Sequence, residues 1–179
     1  NTIEQNPGKR IFLLSEMIHN PQVNKDLIER GVQFLQDTYG KQIIPFDDLQ
    51  PDDVVIIPAF GTTLEIEALL KAKGIAIEKY NTTCPFVEKV WNRSEQIAAK
   101  GYSIVVHGKP KHEETRATFS HASANTPTVI VNDMAETIEL AKFITGENNP
   151  ENFYTVFKGK YSEGFNVTTD LKKIGVVNQ

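Results

Sequence analysis

The chain reads as an α/β protein: parallel sheets with helices on both faces, arranged as two similar lobes. Three observations predict this. Short β-rich runs alternate with helical stretches, the order that sets parallel strands beside covering helices. Three polar clusters fall where those strands end, and open parallel sheets bind ligands outside the carboxyl ends of their strands. The helix that opens at Pro85 divides the alternation in two beside Cys84, giving lobes at 1–84 and 85–179.

The elements follow in order. Residues 10–14 (RIFLL) read as a buried strand. Asn20-Pro21 is a helix start, with Asn as N-cap and Pro at the first helical position. Val23, Leu27 and Phe34 supply the apolar face of that helix, and Gly31 marks an earlier end. A turn-rich stretch from Asp47 to Asp53 leads into a second strand at 54–58 (VVIIP). Residues 64–73 read as a helix stopped by Gly74, and 75–80 as a short third strand.

The helix from Pro85 is the clearest. Val87, Val90, Trp91, Ser94, Ile97 and Ala98 repeat at helical spacing, and Gly101 ends it. Strands at 102–107 and 128–132 alternate with helices at 112–123 and 134–144. Residues 146–150 are a loop, 153–157 fit a strand or a helix end, and 174–178 a last strand. No repeat of short fixed period and no low-complexity tract is present.

Composition narrows the class. Across 179 residues, 19 Lys and Arg against 23 Asp and Glu leave a net charge of −4, which argues against a nucleic-acid-binding domain. Hydrophobic residues at 40% and charged residues at 23% match an ordered, soluble globular chain. No apolar run approaches the ~18–20 residues needed to span a bilayer, and residues 1–10 lack the apolar core of a signal peptide. The single cysteine, Cys84, forms no intrachain disulfide and fits a reducing compartment. There is no initiator Met, and the chain stops at Gln179 directly after an apolar strand, so a fragment of a longer protein is expected.

The polar clusters are residues 15–20, 81–85 and 107–115. Cys84 precedes a helix, where the dipole favours a thiolate. It reads as a soft-metal ligand or nucleophile, or equally as a small buried apolar residue. His112 and Glu114 open a predicted helix behind Gly108, Lys109 and Lys111, a set that suits an anion such as a diphosphate. The plainer reading, preferred on these residues alone, is that Glu113 and Glu114 complement the helix dipole, an effect of a few tenths to about one kcal/mol. His19 contacts a ligand or satisfies a local backbone group. His121 reads as structural or exposed, and Trp91 as core. No dinucleotide fingerprint, Walker A, H-E-x-x-H or nucleophile elbow occurs. With no C-x-x-C there is no self-contained thiolate metal site. A mixed zinc site from Cys84, His107 and His112 fits no common spacing.

SEMIHNPQVN (15–24), NTTCPFVEKVWN (81–92) and HGKPKHEETRAT (107–118) resemble the IspH/LytB family. Residues 57–63 (IPAFGTT) resemble its cyanobacterial and plant-like branch. The match is collinear through almost the whole chain. The family's activity is reduction of 4-hydroxy-3-methylbut-2-enyl diphosphate to isopentenyl and dimethylallyl diphosphate, the last step of the methylerythritol phosphate route to isoprenoids. The resemblance implies two of three α/β lobes in a trefoil around a [4Fe–4S] cluster held by one cysteine per lobe. Cys84 matches the middle cysteine, with the others expected before Asn1 and after Gln179. His19 and His112 match histidines that bind the substrate diphosphate, Glu114 the proton-relay glutamate, and Gln179 the glutamine of a Gln-Thr-Thr motif that touches substrate. The implied partners are a small allylic diphosphate and an electron donor such as ferredoxin or flavodoxin, with neither nucleic acid nor membrane involved. The implied compartment is the cytoplasm, or the plastid stroma in a photosynthetic eukaryote.

The sequence departs from the pattern at Phe60, where many members carry a diphosphate-binding histidine. Phe60 donates no hydrogen bond, so diphosphate binding there must differ. The threonines after Gln179 and the third lobe's Ser-x-Asn cradle lie beyond the sequence. The isolated chain is expected to be inactive, since one thiolate holds no cluster. The competing reading is a non-catalytic α/β module that binds a phosphorylated metabolite through His19, Lys109 and His112.

Overall fold

In the computed structural model, which describes residues 2–178, the strands form two three-stranded parallel sheets. The chain divides into two compact units, Asn1–Val87 and Glu88–Gln179.

The first unit opens with a short helix, α1 (Thr2–Gln5), and the strand β1 (Ile11–Leu13). Helix α2 (Pro21–Glu29) starts where Asn20-Pro21 requires: the Asn20 side chain accepts from the N–H groups of Gln22 and Val23. It ends at Glu29, and Gly31 adopts φ +85°, which only glycine reaches without strain. Phe34 is therefore not on a helix face. It belongs to β2 (Gln33–Phe34), which pairs with β1 through Leu13. Strand β3 (Val54–Ile56) pairs on the other side of β1, giving the order β2-β1-β3. Helix α3 (Leu64–Ala72) is capped by Thr63.

Alternation of side chains along the strands builds two cores. Phe12 and Val55 pack with Leu35, Leu70 and Ile77. Ile11, Leu13, Val54 and Ile56 pack with Val32 and Leu27. Leu70 comes from α3 and Leu27 from α2, so each face of the sheet has its helix, as predicted. At the start of the strands Arg10 donates twice to Asp53, at 2.8 and 2.6 Å. Hydrogen bonding to Asp53 raises the Arg10 pKa above its ordinary value.

One predicted strand is absent. Residues 77–80 form a 3-10 turn, and only Asn81 bridges to Ile57. Ile75 instead closes the end of α3 by donating to the Leu70 carbonyl, and the next residues have no strand length left.

Helix α4 (Pro85–Ala98) leads into the second unit. There follow β4 (Ser103–His107), α5 (Glu113–Ser123), β5 (Thr128–Val131) and α6 (Met134–Thr145). Two short helices, α7 (Phe153–Val156) and α8 (Val167–Asp170), precede β6 (Ile174–Asn178). Residues 153–156 thus take the helical option. The order is β5-β4-β6. Val105, Val129 and Val131 face Leu140 and Phe143 of α6 and the rings of Phe153, Phe157 and Phe165. Ile104, Val106, Ile130 and Val177 face Ala122 of α5 and Val90 and Ile97 of α4. Gly175 lies so close to Ile97 that a Cβ there would meet its Cγ2 at 2.5 Å. Among the described residues no helix is long and apolar enough to cross a membrane.

Candidate functional site

In each unit the polar clusters stand at the carboxyl ends of the strands, as a parallel sheet dictates.

In the first unit, β1 runs into a loop at residues 15–20. Asn24, 6% exposed, holds this loop: its Oδ1 accepts from the Met17 N–H at 3.2 Å and its amide donates to the Ile18 carbonyl at 3.1 Å. His19 is thereby presented just ahead of α2. Its side chain is 46% exposed and its Nδ1 stands 3.6 Å from Glu16 Oε2. Its ring stacks on Phe60, centroids 4.4 Å apart at 25°. The Ala59 backbone ties the neighbouring loops together. Its N–H donates to the Met17 carbonyl at 3.3 Å and its carbonyl accepts from the Cys84 N–H at 2.8 Å. Cys84 is a half-buried free thiol immediately before α4. Its carbonyl accepts from Val87 N–H at 2.9 Å. Thr82 donates to the Ile57 carbonyl, and Asn81 accepts from both the N–H and hydroxyl of Thr83, so the approach to Cys84 is rigidly folded.

In the second unit, β4 ends at His107, whose Nδ1 stands 2.5 Å from Asn178 Oδ1. The loop that follows is pinned by Gly108, whose N–H donates to the Val131 carbonyl at 3.0 Å. A Cβ on Gly108 would collide with Thr115, 1% exposed, so glycine is required for the first turn of α5 to approach the strand. His112 takes the N-cap position with extended backbone and no side-chain cap bond. Its Nδ1 lies 3.9 Å from Glu114 Oε2, the two side chains 24% and 29% exposed. Lys109 and Lys111 are exposed beside them. An imidazole and two ammonium groups at the positive end of the α5 dipole form an anion-favouring edge. At the end of β5, Asp133 caps α6, and the Glu136 N–H and the Asn132 amide hold its carboxyl below the usual range.

The sequence-predicted residues sort as follows. His112 and Glu114 are brought together, His19 meets Phe60, and Cys84 is joined to the Phe60 loop through Ala59. Gln179 lies outside the described residues. Among the described residues no group of three or more His, Cys, Asp or Glu is placed to hold a metal ion, so the mixed zinc site has no support. His121 stacks on Trp91, centroids 3.7 Å apart, and Trp91 donates to the Thr118 hydroxyl at 3.1 Å. Trp91 is core, as its helical spacing predicts, and His121 takes the structural one of its two expected roles. Glu113, by contrast, is 5% exposed and is no solvated dipole charge. The His19–Phe60 stack, the Ala59 junction and the His107–Asn178 pair were not anticipated. Their only sequence signal is position at a strand end.

A sequence model of the LytB protein family matches residues 1–179. The chain belongs to the LytB protein family. Among its LytB relatives, the 4-hydroxy-3-methylbut-2-enyl diphosphate reductase of Gloeothece citriformis is 40% identical over 173 residues, 97% of this chain and 41% of that protein. The protein of the same name from a Synechococcus strain is 42% identical over 173 residues, again 97% of this chain and 41% of the relative. The chain thus spans about two fifths of the length of the curated relatives it matches. Among solved structures, an (E)-4-hydroxy-3-methyl-but-2-enyl diphosphate reductase, the terminal enzyme of the non-mevalonate pathway, superposes with a TM-score of 0.64 at 25% identity, covering 99% of this chain and 59% of that one. The Plasmodium falciparum reductase gives a TM-score of 0.67 at 23% identity, over 99% of this chain and 45% of that one. At that identity it speaks to the fold alone.

Proposed function

We propose that the chain is part of a 4-hydroxy-3-methylbut-2-enyl diphosphate reductase, contributing two α/β lobes. The whole protein removes the allylic hydroxyl of that substrate. Two electrons and two protons are taken up, water leaves, and isopentenyl or dimethylallyl diphosphate remains. The observation that carries this reading is 40% identity, through 97% of the chain, with a protein of that name.

The site residues take roles that fit their surroundings. His19 and His112 each stand just ahead of a helix N-terminus, where an imidazole N–H and the positive end of the helix dipole suit diphosphate oxygens. Phe60 gives His19 a stacking surface in place of a second hydrogen-bond donor. Glu114, beside His112, is the carboxyl that passes a proton to the departing hydroxyl. Gln179 is a further substrate contact.

Cys84 supplies one thiolate to a [4Fe–4S] cluster. One thiol does not make a four-iron site, and the described residues hold no group of three metal-ligating side chains. This chain therefore fits one ligand position only. The cluster supplies the electrons, received from a ferredoxin or flavodoxin, while the residues above bind the diphosphate and move the proton.

The test uses the polypeptide of the complete reading frame, purified without oxygen. Glu114→Gln is expected to keep its iron and sulfide while turnover of the hydroxylated diphosphate falls at least about a hundredfold. Wild-type-like turnover would remove Glu114 from the reaction. Cys84→Ser is expected to lose iron, and unchanged iron and sulfide content would sink the ligand assignment.

A further inference from the structure

We infer that His107 and Asn178 form a clamp that sets the loop leading to His112 and Glu114 at the start of α5, which makes His107 a positioning residue for the second unit's site. The clamp's purpose rests on the reading of His112 as a diphosphate contact.

The two residues are the last register pair of β4 and β6. Their side chains meet at 2.5 Å, His107 Nδ1 to Asn178 Oδ1. With a carbonyl oxygen as acceptor, Nδ1 carries the proton and the lone pair of the neutral ring is at Nε2. The four residues of β4 before His107 are buried, and His107 alone is exposed. No hydrophobic requirement therefore selects it. What stands there decides how the strand ends are held where the loop leaves the sheet. Gly108 follows at once and is fixed to Val131, and four residues later His112 caps α5. On the other strand Asn178 directly precedes Gln179 in the chain.

The first unit has the corresponding link and builds it differently. There the stretch after the third strand is joined to the loop after the first strand by backbone, Ala59 N–H to the Met17 carbonyl. The side chains that continue β1 and β3 are Leu14 and Ile57, both buried and apolar. Each unit thus carries a cross-link between the segments that leave its first and third strands, near the loop with the candidate histidine. In the second unit the link is made by two polar side chains, and it is the only one of the two that a point substitution removes cleanly.

The experiment measures binding of inorganic diphosphate by calorimetry to the full-length protein and to His107→Ala, Asn178→Ala, the double variant and His107→Asn. Each alanine variant is expected to bind about tenfold more weakly, a loss of about 1.4 kcal/mol. The double variant should be no weaker than either single one, because both remove the same bond. His107→Asn places an amide N–H where Nδ1 stood and is expected to restore binding. A merely structural contact would alter stability without this pattern. His107→Ala that binds like wild type, additive losses, or no rescue by asparagine would each overturn the clamp. Wild-type protein that fails to bind diphosphate overturns the functional reading instead. Amide exchange over residues 108–115 then decides the clamp: faster exchange in His107→Ala is expected, and unchanged rates would refute it.

Discussion

The two units share a strand order and differ in what fills them. In both, the first strand is central, the second lies on one side and the third on the other. His19 and His112 therefore occupy the same topological place, in the loop between the central strand and its following helix. The interiors are unlike. The first unit has strands of three, two and three residues, covered mainly by aliphatic side chains such as Leu14, Leu35, Ile57 and Leu70. The second has strands of five, four and five residues, and rings gather on one face of its sheet. Phe153 lies fully buried at their centre, stacked on Phe165 at 5.2 Å and on Phe157 at 5.1 Å. The position of a candidate-site loop follows from strand order. The filling behind it is free to change as long as volume and apolar character are kept.

The sharpest way to break this contrast is Phe153→Ala. Removing the central ring of a packed cluster is expected to cost about 3–5 kcal/mol, read from the denaturant midpoint. A loss under about 1 kcal/mol would mean the rings add little beyond what aliphatic packing gives the first unit. Gly108→Ala tests the loop root in the second unit. The new Cβ collides with buried Thr115, so about 1–3 kcal/mol of stability and much of the diphosphate affinity should go together. Unchanged affinity would separate the loop from the site.

Asn20→Ala probes the matching place in the first unit. Loss of a cap that accepts two backbone N–H groups is expected to cost about 1 kcal/mol. No measurable change in thermal midpoint would show that Asn24 alone holds the His19 loop. The smallest effect concerns acid. The Asp133 carboxyl is held below its ordinary pKa by the Glu136 N–H and the Asn132 amide. Its stabilisation is present above the unfolded value of 3.8 and is lost as pH falls through the lower folded value. Asp133→Asn keeps a cap oxygen without the charge, so its stability should decline less steeply as pH falls from 3.8 through the lower folded value. Identical acid limbs would remove Asp133 from the pH dependence.

Legibility in the sequence varied with how local the cause was. Asn20-Pro21 and Gly31 bound their helix because capping and a positive φ are settled by two or three neighbours. The apolar runs in β1, β3 and β4 were clear because strands buried on both faces read as near-continuous hydrophobic stretches. Residues 75–80 were misread. Their apolar character fits a strand, but Ile75 and Ile77 are spent on the core beside Leu70, and no pairing length remains. Phe34 was misread in the same way, since its partner is Leu13 across the sheet and not a residue one helical turn back.

The sequence by itself determined the α/β class, the family, and which polar residues lie at strand ends. Each follows from periodicity, local caps and motif order, which are properties of neighbouring residues. Only the tertiary structure decided that His19 stacks on Phe60, 41 positions along the chain, that Ala59 joins the Met17 and Cys84 loops, and that His107 meets Asn178. These are contacts between separate crossovers of the sheet. Their partners are chosen by strand order and register, and no local pattern in the chain encodes either.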